Sequence, residues 1–317
     1  MFRIEILEGE KKKTRSLEEI RQLWKLIFSE DSDEFLEYYF HDIAQNNTIL
    51  VAKEADKETL IGMLHLNPYR VTVNGQNQLL YYVVAVATHP EYRKQGVMRS
   101  LLSRAKVYAQ EKNAYALILQ PEDERYYRPF GYQFVNQQLN TTIDTTKYIV
   151  ENKLNVPNEV IQNSFQTLEI EDFIDKFSDF VSLLKKGKNH RNEIIRGVVE
   201  VVLSLEYGKR LYHEVTADKG MVLYRNNAFV FCYLNSSQVE IRKVIFPPMN
   251  EDEREELLKQ LIEFAYPRKL ILHETNERTV TEKLPYYRGN FYDVRKYMMV
   301  LPIQAVMAEK WMFDEVV

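Results

Sequence analysis

The segment from Val83 to Leu102 constrains the fold more than any other part of this chain. Residues 83–87 are apolar at consecutive positions, which is typical of a strand buried on both faces in the middle of a sheet. This pattern stops at His89-Pro90, and a basic turn that contains Gly96 follows. Apolar residues then recur at helical spacing from Val97 to Ala109. The sequence therefore predicts a central strand, a basic turn and an amphipathic helix in direct succession.

The basic turn has the chemistry of an anion site. A helix N-terminus presents unpaired backbone N–H groups and a partial positive charge, which suits a phosphate. Arg93 and Lys94 add two cations, and Gly96 allows a ligand to approach the backbone closely. A turn with only a structural role fits the R-x-x-G pattern equally well, so the pattern alone leaves both interpretations open.

The flanking patterns complete one mixed α/β domain of about 140 residues. A capping box at Ser16 and Glu19 predicts the start of an amphipathic helix. Asn74-Gly75 is the sequence typical of a tight hairpin turn. Strands are predicted at residues 49–53, 60–66, 71–73, 79–88, 115–119 and 132–135.

The second half of the chain repeats part of this pattern. Tyr126-Tyr127-Arg128 and Tyr286-Tyr287-Arg288 each follow a predicted strand, which indicates a duplication. The basic turn is not repeated, because Pro247-Pro248-Met249-Asn250 occupies the corresponding position. Prolines lack an N–H donor, and the acidic residues that follow would repel an anion. We therefore expect domains at 1–145 and 146–317. If the turn of the first domain binds an anion, the second domain has lost that ability.

The predicted elements of the second half begin after a polar linker at residues 141–158. Helices are predicted at 171–184, 194–205 and 251–265, and strands at 211–216, 221–224, 228–234, 239–246 and 270–273.

Composition limits the partners and the compartment. The net charge of −4 gives no reason to expect a nucleic acid partner, because binding a phosphate backbone requires a basic face. Cys232, the single cysteine of the 317 residues, is predicted to be a core residue in a reducing compartment. No apolar run reaches the ~18 residues of a membrane-spanning helix, and the N-terminus lacks the pattern of a signal peptide. We expect a cytoplasmic protein with no nucleic acid or membrane partner.

His273-Glu274 lacks the second histidine of a zinc motif, so no metal is expected.

In its basic turn the chain resembles the GNAT N-acetyltransferase superfamily, whose hallmark is R/Q-x-x-G-x-G/A after a central strand. Arg93 and Gly96 match this pattern, and Met98 replaces its final Gly or Ala. The Y-x-x-F-G-Y element from Tyr127 to Tyr132 resembles the Eis-type (enhanced intracellular survival) branch. The resemblance implies an α/β fold of tandem GNAT-like mixed-sheet domains, the second degenerate. We expect this chain to lack the sterol-carrier-like third domain that is usual in that branch, because 317 residues are too few to contain it.

The resemblance also implies roles for individual residues. Tyr127 would protonate the leaving thiolate, and the carboxylate of Val317 would be the formal equivalent of the base that the Eis-type branch uses. His89 would lie beside the turn, either as a proton relay or as a solvated loop residue. The residues expected to bind acetyl-CoA are Val86, Ala87, Thr88, Arg93, Lys94, Gln95, Gly96, Val97, Met98, Arg99, Glu122 and Asp123.

We therefore expect an acetyl-CoA-dependent N-acetyltransferase. Its acceptor would be a primary amine, such as an aminoglycoside, a polyamine or a lysine side chain, which attacks the thioester directly. Association into a homo-oligomer is compatible with the sequence. Three alternatives stay open: a catalytically silent acyl-CoA-binding sensor, a tandem enzyme of the mycothiol-synthase type, and a peptidoglycan aminoacyl-transferase.

Overall fold

The computed structural model describes residues 1–12, 14–156, 164–188, 198–275, 291–296, 298–304 and 310–312. The helices are α1 (Thr14–Ile27), α2 (Asp33–Tyr38), α3 (Val97–Glu111), α4 (Thr145–Glu151), α5 (Ile170–Lys188), α6 (Leu205–Ala217) and α7 (Glu251–Ala265). The strands are β1 (Phe2–Leu7), β2 (Thr48–Glu54), β3 (Leu60–Val73), β4 (Gln76–Thr88), β5 (Ala116–Leu119), β6 (Gln133–Phe134), β7 (Gln137–Asp144), β8 (Gln166–Thr167), β9 (Val198–Val201), β10 (Met221–Arg225), β11 (Ala228–Leu234), β12 (Gln238–Ile245), β13 (Lys269–Thr275), β14 (Phe291–Lys296), β15 (Met299–Pro302) and β16 (Lys310–Met312).

The chain forms two compact units, and each unit contains one mixed sheet. The first unit comprises Met1–Val135 and the later strands β9, β15 and β16, and the second unit begins at Asn136. The sequence placed the boundary at 145/146 instead and gave all later residues to the second domain. The predicted linker at 141–158 was wrong, because the structure has β7 and α4 there. Polar strand residues such as Thr141 and Thr142 concealed a strand whose neighbours lie far away in the sequence.

The sheet of the first unit has the order β1-β2-β3-β4-β5-β15-β6, and β9 extends it from β3. Strands β2, β3 and β4 are antiparallel, whereas β4 and β5 are parallel and are joined through α3. Residues 60–66 and 71–73 belong to the single strand β3, which ends at the predicted hairpin. Asn74 and Gly75 both have positive φ, at 51° and 75°, as that turn requires. The prediction of the hairpin is therefore confirmed.

Helix α3 covers one face of this sheet, because its apolar stripe faces the core. Val97, Leu101 and Ala105 are each at most 1% exposed, and they form one core cluster with Leu66 and Leu117. Helix α1 also has a buried face, which includes Ile20, Leu23 and Trp24. It begins at Thr14, so Ser16 lies inside the helix and the predicted capping box was wrong.

The sheet of the second unit has the order β14-β7-β13-β12-β11-β10-β8. Helix α7 covers one face, where Leu261 and Ile262 share a core cluster with Cys232, which is fully buried as predicted. The strand predicted at 211–216 was wrong, because these residues lie in α6, whose N-cap Ser204 accepts a hydrogen bond from the Tyr207 N–H at 3.1 Å. The predicted helix at 194–205 lies partly outside the described residues, and β9 occupies 198–201 within it.

In each sheet, a strand that is distant in the sequence lies between two other strands. Strand β15 lies between β5 and β6 in the first unit, and β7 lies between β13 and β14 in the second. None of the helices in the described ranges is long and apolar enough to cross a bilayer.

Candidate functional site

The central strand β4 separates from its neighbour β5 near the middle of its length. The two strands pair only from Leu80 to Tyr82, opposite Ala116 to Ile118. Beyond Tyr82, β4 pairs only with β3 among the described strands, and its register shifts between Val84 and Ala87. Ala85 adopts a φ of 51° in this bulge. The last six residues of β4 therefore present one edge of peptide groups that no described strand covers.

The basic turn begins directly at this open edge. The His89 N–H donates a hydrogen bond to the Ile61 carbonyl at 2.9 Å, which holds the end of β4 against β3. A 3-10 turn at Pro90–Tyr92 follows. Lys94 and Gly96 have positive φ values of 62° and 83°, so the backbone turns sharply on both sides of Gln95. The four residues of the turn, from Arg93 to Gly96, are all exposed.

Helix α3 starts at this turn with an open N-terminus. Gly96 is its N-cap residue and supplies no side-chain hydrogen bond, and the first turn of the helix contains no acidic residue. A Cβ atom built on Gly96 would have no neighbouring atom within 4 Å, so the space beside it is open. Arg99 adds an exposed cation in this first turn. Backbone donors at a helix N-terminus with exposed cations match the needs of a phosphate group.

Gly62 on β3 brings the start of α3 close to β4, and sequence reasoning missed it. A Cβ at this position would lie 2.6 Å from Val97 Cγ1 and 3.0 Å from the Ala87 carbonyl oxygen. Only a glycine therefore allows the helix to approach the bulged strand this closely. A glycine inside a strand pattern signals such an approach, and this signal was available in the sequence.

Tyr127 lies at the junction of two 3-10 turns that follow β5. Its ring packs on the same core cluster as Val86 and Met98. Burial, together with the charge of Glu122, raises the pKa of Tyr127 to about 12, so its hydroxyl keeps its proton at neutral pH. Its neighbour Tyr126 is 57% exposed. The structure thus gives the two adjacent tyrosines different surroundings.

The acidic residues after β5 have different neighbours. Glu122 is exposed, whereas Asp123 accepts a hydrogen bond from the Arg125 N–H at 2.9 Å and pairs with the Arg125 guanidinium. Hydrogen bonds from the Arg125 side chain hold the pKa of Asp123 below its usual range. Asp123 therefore caps its own turn.

The turn before α7 in the second unit has the opposite character. Asn250 accepts a hydrogen bond from the Glu253 N–H at 2.9 Å, and Glu253 accepts one from the Asn250 N–H at 2.8 Å. This capping box satisfies backbone donors that α3 leaves open. Three acidic residues, Glu251, Asp252 and Glu253, occupy the first turn of α7. This helix start therefore repels an anion.

Some predicted residues lie elsewhere or outside the described residues. Val317 and Tyr286-Tyr287-Arg288 fall outside them. His89 caps the 3-10 turn, because its ring nitrogen accepts a hydrogen bond from the Glu91 N–H at 3.4 Å. His273 lies on β13 between Asn140, at 2.7 Å, and Glu240, at 2.9 Å. No group of side chains suited to hold a metal ion occurs among the residues that the structure describes.

Comparisons with known proteins agree with this geometry. A family model described as an acetyltransferase (GNAT) domain matches residues 10–135. No curated protein matches the sequence. A probable N-acyltransferase from Enterococcus faecalis has 15% identity and a TM-score of 0.72, covering 96% of this chain and 72% of that chain.

Two further solved structures have the same fold. A GCN5-related N-acetyltransferase from Anabaena variabilis has 14% identity and a TM-score of 0.69, covering 95% of this chain and 73% of that chain. Eis1 from Mycobacterium abscessus has 13% identity and a TM-score of 0.63, covering 96% of this chain and 74% of that chain. The chain therefore has the fold of the GNAT N-acetyltransferases, and its residues 10–135 match the acetyltransferase domain of that family.

Proposed function

We propose that this chain transfers an acetyl group from acetyl-CoA to a primary amine, with all of the chemistry in the first unit. One observation carries the proposal: the open edge of β4 leads directly into a cationic turn and an uncapped helix N-terminus. An extended amide chain can pair with the edge of β4, and a diphosphate can bind at the cationic turn and the helix N-terminus. The match to a GNAT acetyltransferase domain supports the same assignment.

The acyl donor would lie along the end of β4. Peptide groups of Val86, Ala87 and Thr88 would pair with its pantetheine amides, as a neighbouring strand would. Its phosphates would bind to backbone N–H groups at the start of α3, with positive charge from Arg93, Lys94 and Arg99. The open space beside Gly96 fits this use, because a side chain there would stand in front of the helix N-terminus.

The acetyl group would pass to the amine in one direct attack. The amine nitrogen adds to the thioester carbonyl, and backbone N–H groups of the bulged strand stabilise the negative charge on its oxygen. When the C–S bond breaks, Tyr127 donates its proton to the sulfur and becomes a phenolate. The amine nitrogen loses one proton in the overall reaction, and this proton restores Tyr127. A pKa of about 12 keeps Tyr127 ready to donate at neutral pH.

We infer that the second unit has lost the ability to bind acetyl-CoA. The capping box and the acidic first turn of α7 are the observations that favour this view. The proposal thus describes a tandem GNAT protein of the Eis type with a degenerate second copy. The acceptor class, whether an aminoglycoside, a polyamine or a lysine side chain, is carried over from the resemblance alone.

An assay of thiol release from acetyl-CoA, over a panel of these amines, tests the proposal. At least one amine should give steady turnover. Tyr127→Phe removes only the hydroxyl, so we expect kcat to fall roughly 10²-fold with acetyl-CoA affinity nearly unchanged.

The matched control is Tyr126→Phe, because the Tyr126 side chain is largely exposed. It should keep kcat within about twofold. Binding of acetyl-CoA without turnover on any amine would instead favour the silent sensor. Equal losses in the two variants would remove Tyr127 as the acid.

A further inference from the structure

Tyr132 has a buried hydroxyl with no partner among the residues that the structure describes. Its side chain is 2% exposed, and its oxygen forms no hydrogen bond within the described part of the chain. The residue belongs to the apolar core cluster that contains Leu117, Met299 and Leu301. Burying a hydroxyl without a partner costs folding free energy, so such a group needs an explanation.

The ring of Tyr132 lies beside the ring of Tyr127. The two ring centroids are 5.9 Å apart, and the planes meet at 70°. Gly131, with a φ of 90°, reverses the chain between the turn of Tyr127 and the strand that follows Tyr132. A Cβ on Gly131 would lie 3.3 Å from Leu301 Cδ1, so the glycine also lets this segment lie against β15.

The ionisation of the Tyr127 hydroxyl affects the pKa of the Tyr132 hydroxyl. Burial raises the pKa of Tyr132 far above its usual value, and charge on Tyr127 raises it further. Tyr132 therefore keeps its proton when Tyr127 ionises, and its O–H group is available as a donor. In the proposed reaction Tyr127 becomes a phenolate in a partly buried position, where a negative charge without a hydrogen-bond donor is unfavourable.

We propose that Tyr132 is a positioning residue for Tyr127. The Tyr132 hydroxyl donates a hydrogen bond to the Tyr127 oxygen once that oxygen has given its proton to the leaving sulfur. No proton leaves Tyr132 in this step. The two hydroxyls are not hydrogen bonded in the structure, so the partly exposed Tyr127 must shift within its turn to reach its neighbour. This inference rests on the proposed function.

The test is a set of tyrosine-to-phenylalanine variants of the full chain, assayed with acetyl-CoA and an accepted amine. Tyr132→Phe should lower kcat about 10-fold, which is typical of losing a hydrogen bond to a charged group. KM for acetyl-CoA should stay within about twofold. The melting temperature should not fall, because none of the described residues forms a hydrogen bond with the lost hydroxyl in the resting protein.

The double variant Tyr127→Phe/Tyr132→Phe decides whether Tyr132 acts through Tyr127. Its kcat should equal that of Tyr127→Phe within about twofold, because no phenolate forms without the Tyr127 hydroxyl. Tyr108→Phe is the matched control. Tyr108 lies in the same core, and its hydroxyl is bonded to Glu8 and to Thr48, the latter at 2.9 Å. This variant should melt at a lower temperature and keep the wild-type kcat.

Two results would overturn the inference. The first is a Tyr132→Phe variant with wild-type kcat, and the second is a loss that persists undiminished in the Tyr127→Phe background. Either result leaves the proposed function standing, provided that Tyr127→Phe alone is slow. If the wild-type chain turns over no amine, or if Tyr127→Phe is fully active, the proposed function fails and the inference fails with it.

Discussion

At the scale of single residues, a buried histidine makes the stability of the first unit depend on pH. His65 on β3 is fully buried, and its Nδ1 lies 3.3 Å from both the Asn47 amide nitrogen and the Tyr39 hydroxyl. The Trp24 ring lies against it at 5.2 Å. Burial, together with the charge of Lys12, lowers the pKa of His65 to about 3. The imidazole is therefore neutral in the folded protein.

Acid should destabilise the protein through His65. The unfolded chain takes up a proton at the usual histidine pKa of ~6.5, whereas the folded chain does not until about pH 3. Stability from this group is thus complete above pH 6.5 and is lost as the pH falls, by about 1.4 kcal/mol per pH unit. Urea denaturation from pH 7 to pH 4 measures this slope.

The variant His65→Gln should lose that part of the slope, whatever its effect on stability at pH 7. His41→Gln is the control, because the His41 side chain is 79% exposed and should not change the slope. An unchanged slope in His65→Gln would show that other groups cause the acid sensitivity.

The roles of some single residues could be predicted from the sequence, and the role of at least one could not. The burial of Cys232 and the Asn74-Gly75 turn followed from local chemistry, and the structure confirms both. Gly62 was overlooked because its importance depends on Val97, a residue 35 positions later that meets it only after β3 and α3 have packed.

At the scale of elements, the starts of α3 and α7 differ in how they satisfy their backbone donors. The side chain of Asn250 caps α7, whereas Gly96 leaves the start of α3 open. Asn250→Ala should therefore cost about 1 kcal/mol of unfolding free energy. It should leave the affinity for acetyl-CoA within about twofold, because the proposed binding site lies at the start of α3 and not at α7.

Denaturation and equilibrium binding measure these two effects separately. Glu255→Gln, at an exposed position later in α7, is the control and should change neither quantity. A large loss of acetyl-CoA affinity in Asn250→Ala would assign a binding role to the second unit.

The sequence predicted correctly those elements whose own residues show a clear periodicity or turn signal. Strand β4, the basic turn and α3 were recognised because each has its own periodicity or turn residues. The segment 211–216 was misinterpreted as a strand, although Tyr207, Leu211 and Val215 recur at helical spacing and are buried in α6. Its aromatic and β-branched residues favour strands in isolation, and packing in α6 overrides that preference.

At the scale of the whole molecule, the first unit depends on residues near the end of the sequence. Strand β15 pairs with β5 through Ala116–Leu119 and with β6 through Gln133 and Phe134. Val300 is fully buried, and Leu301 is 5% exposed. No local pattern could predict this pairing, because about 180 residues separate β5 from its partner. The segment that follows β5 and carries Tyr127 therefore lies beside a strand from the far end of the chain.

A chain that ends at residue 297 should fail to form a stable first unit. Removing β15 exposes the edges of β5 and β6 together with core residues such as Leu117. We expect an aggregated or unfolded product, which circular dichroism and thermal melting would detect. A chain that ends at residue 304 keeps β15 and is the control, since it should retain a cooperative melting transition. A stable product ending at 297 would mean that β15 is dispensable.

The most direct test of the account is a calorimetric titration of the full chain with acetyl-CoA. The account predicts one binding site per chain, because among the residues that the structure describes only the first unit joins an open strand edge to an uncapped helix and a cationic turn. The variant Arg93→Glu/Lys94→Glu should abolish that binding, since both side chains are exposed and the change reverses the charge of the turn without disturbing the core. An absence of binding in the wild-type chain, two sites per chain, or undiminished affinity in the variant would contradict the account.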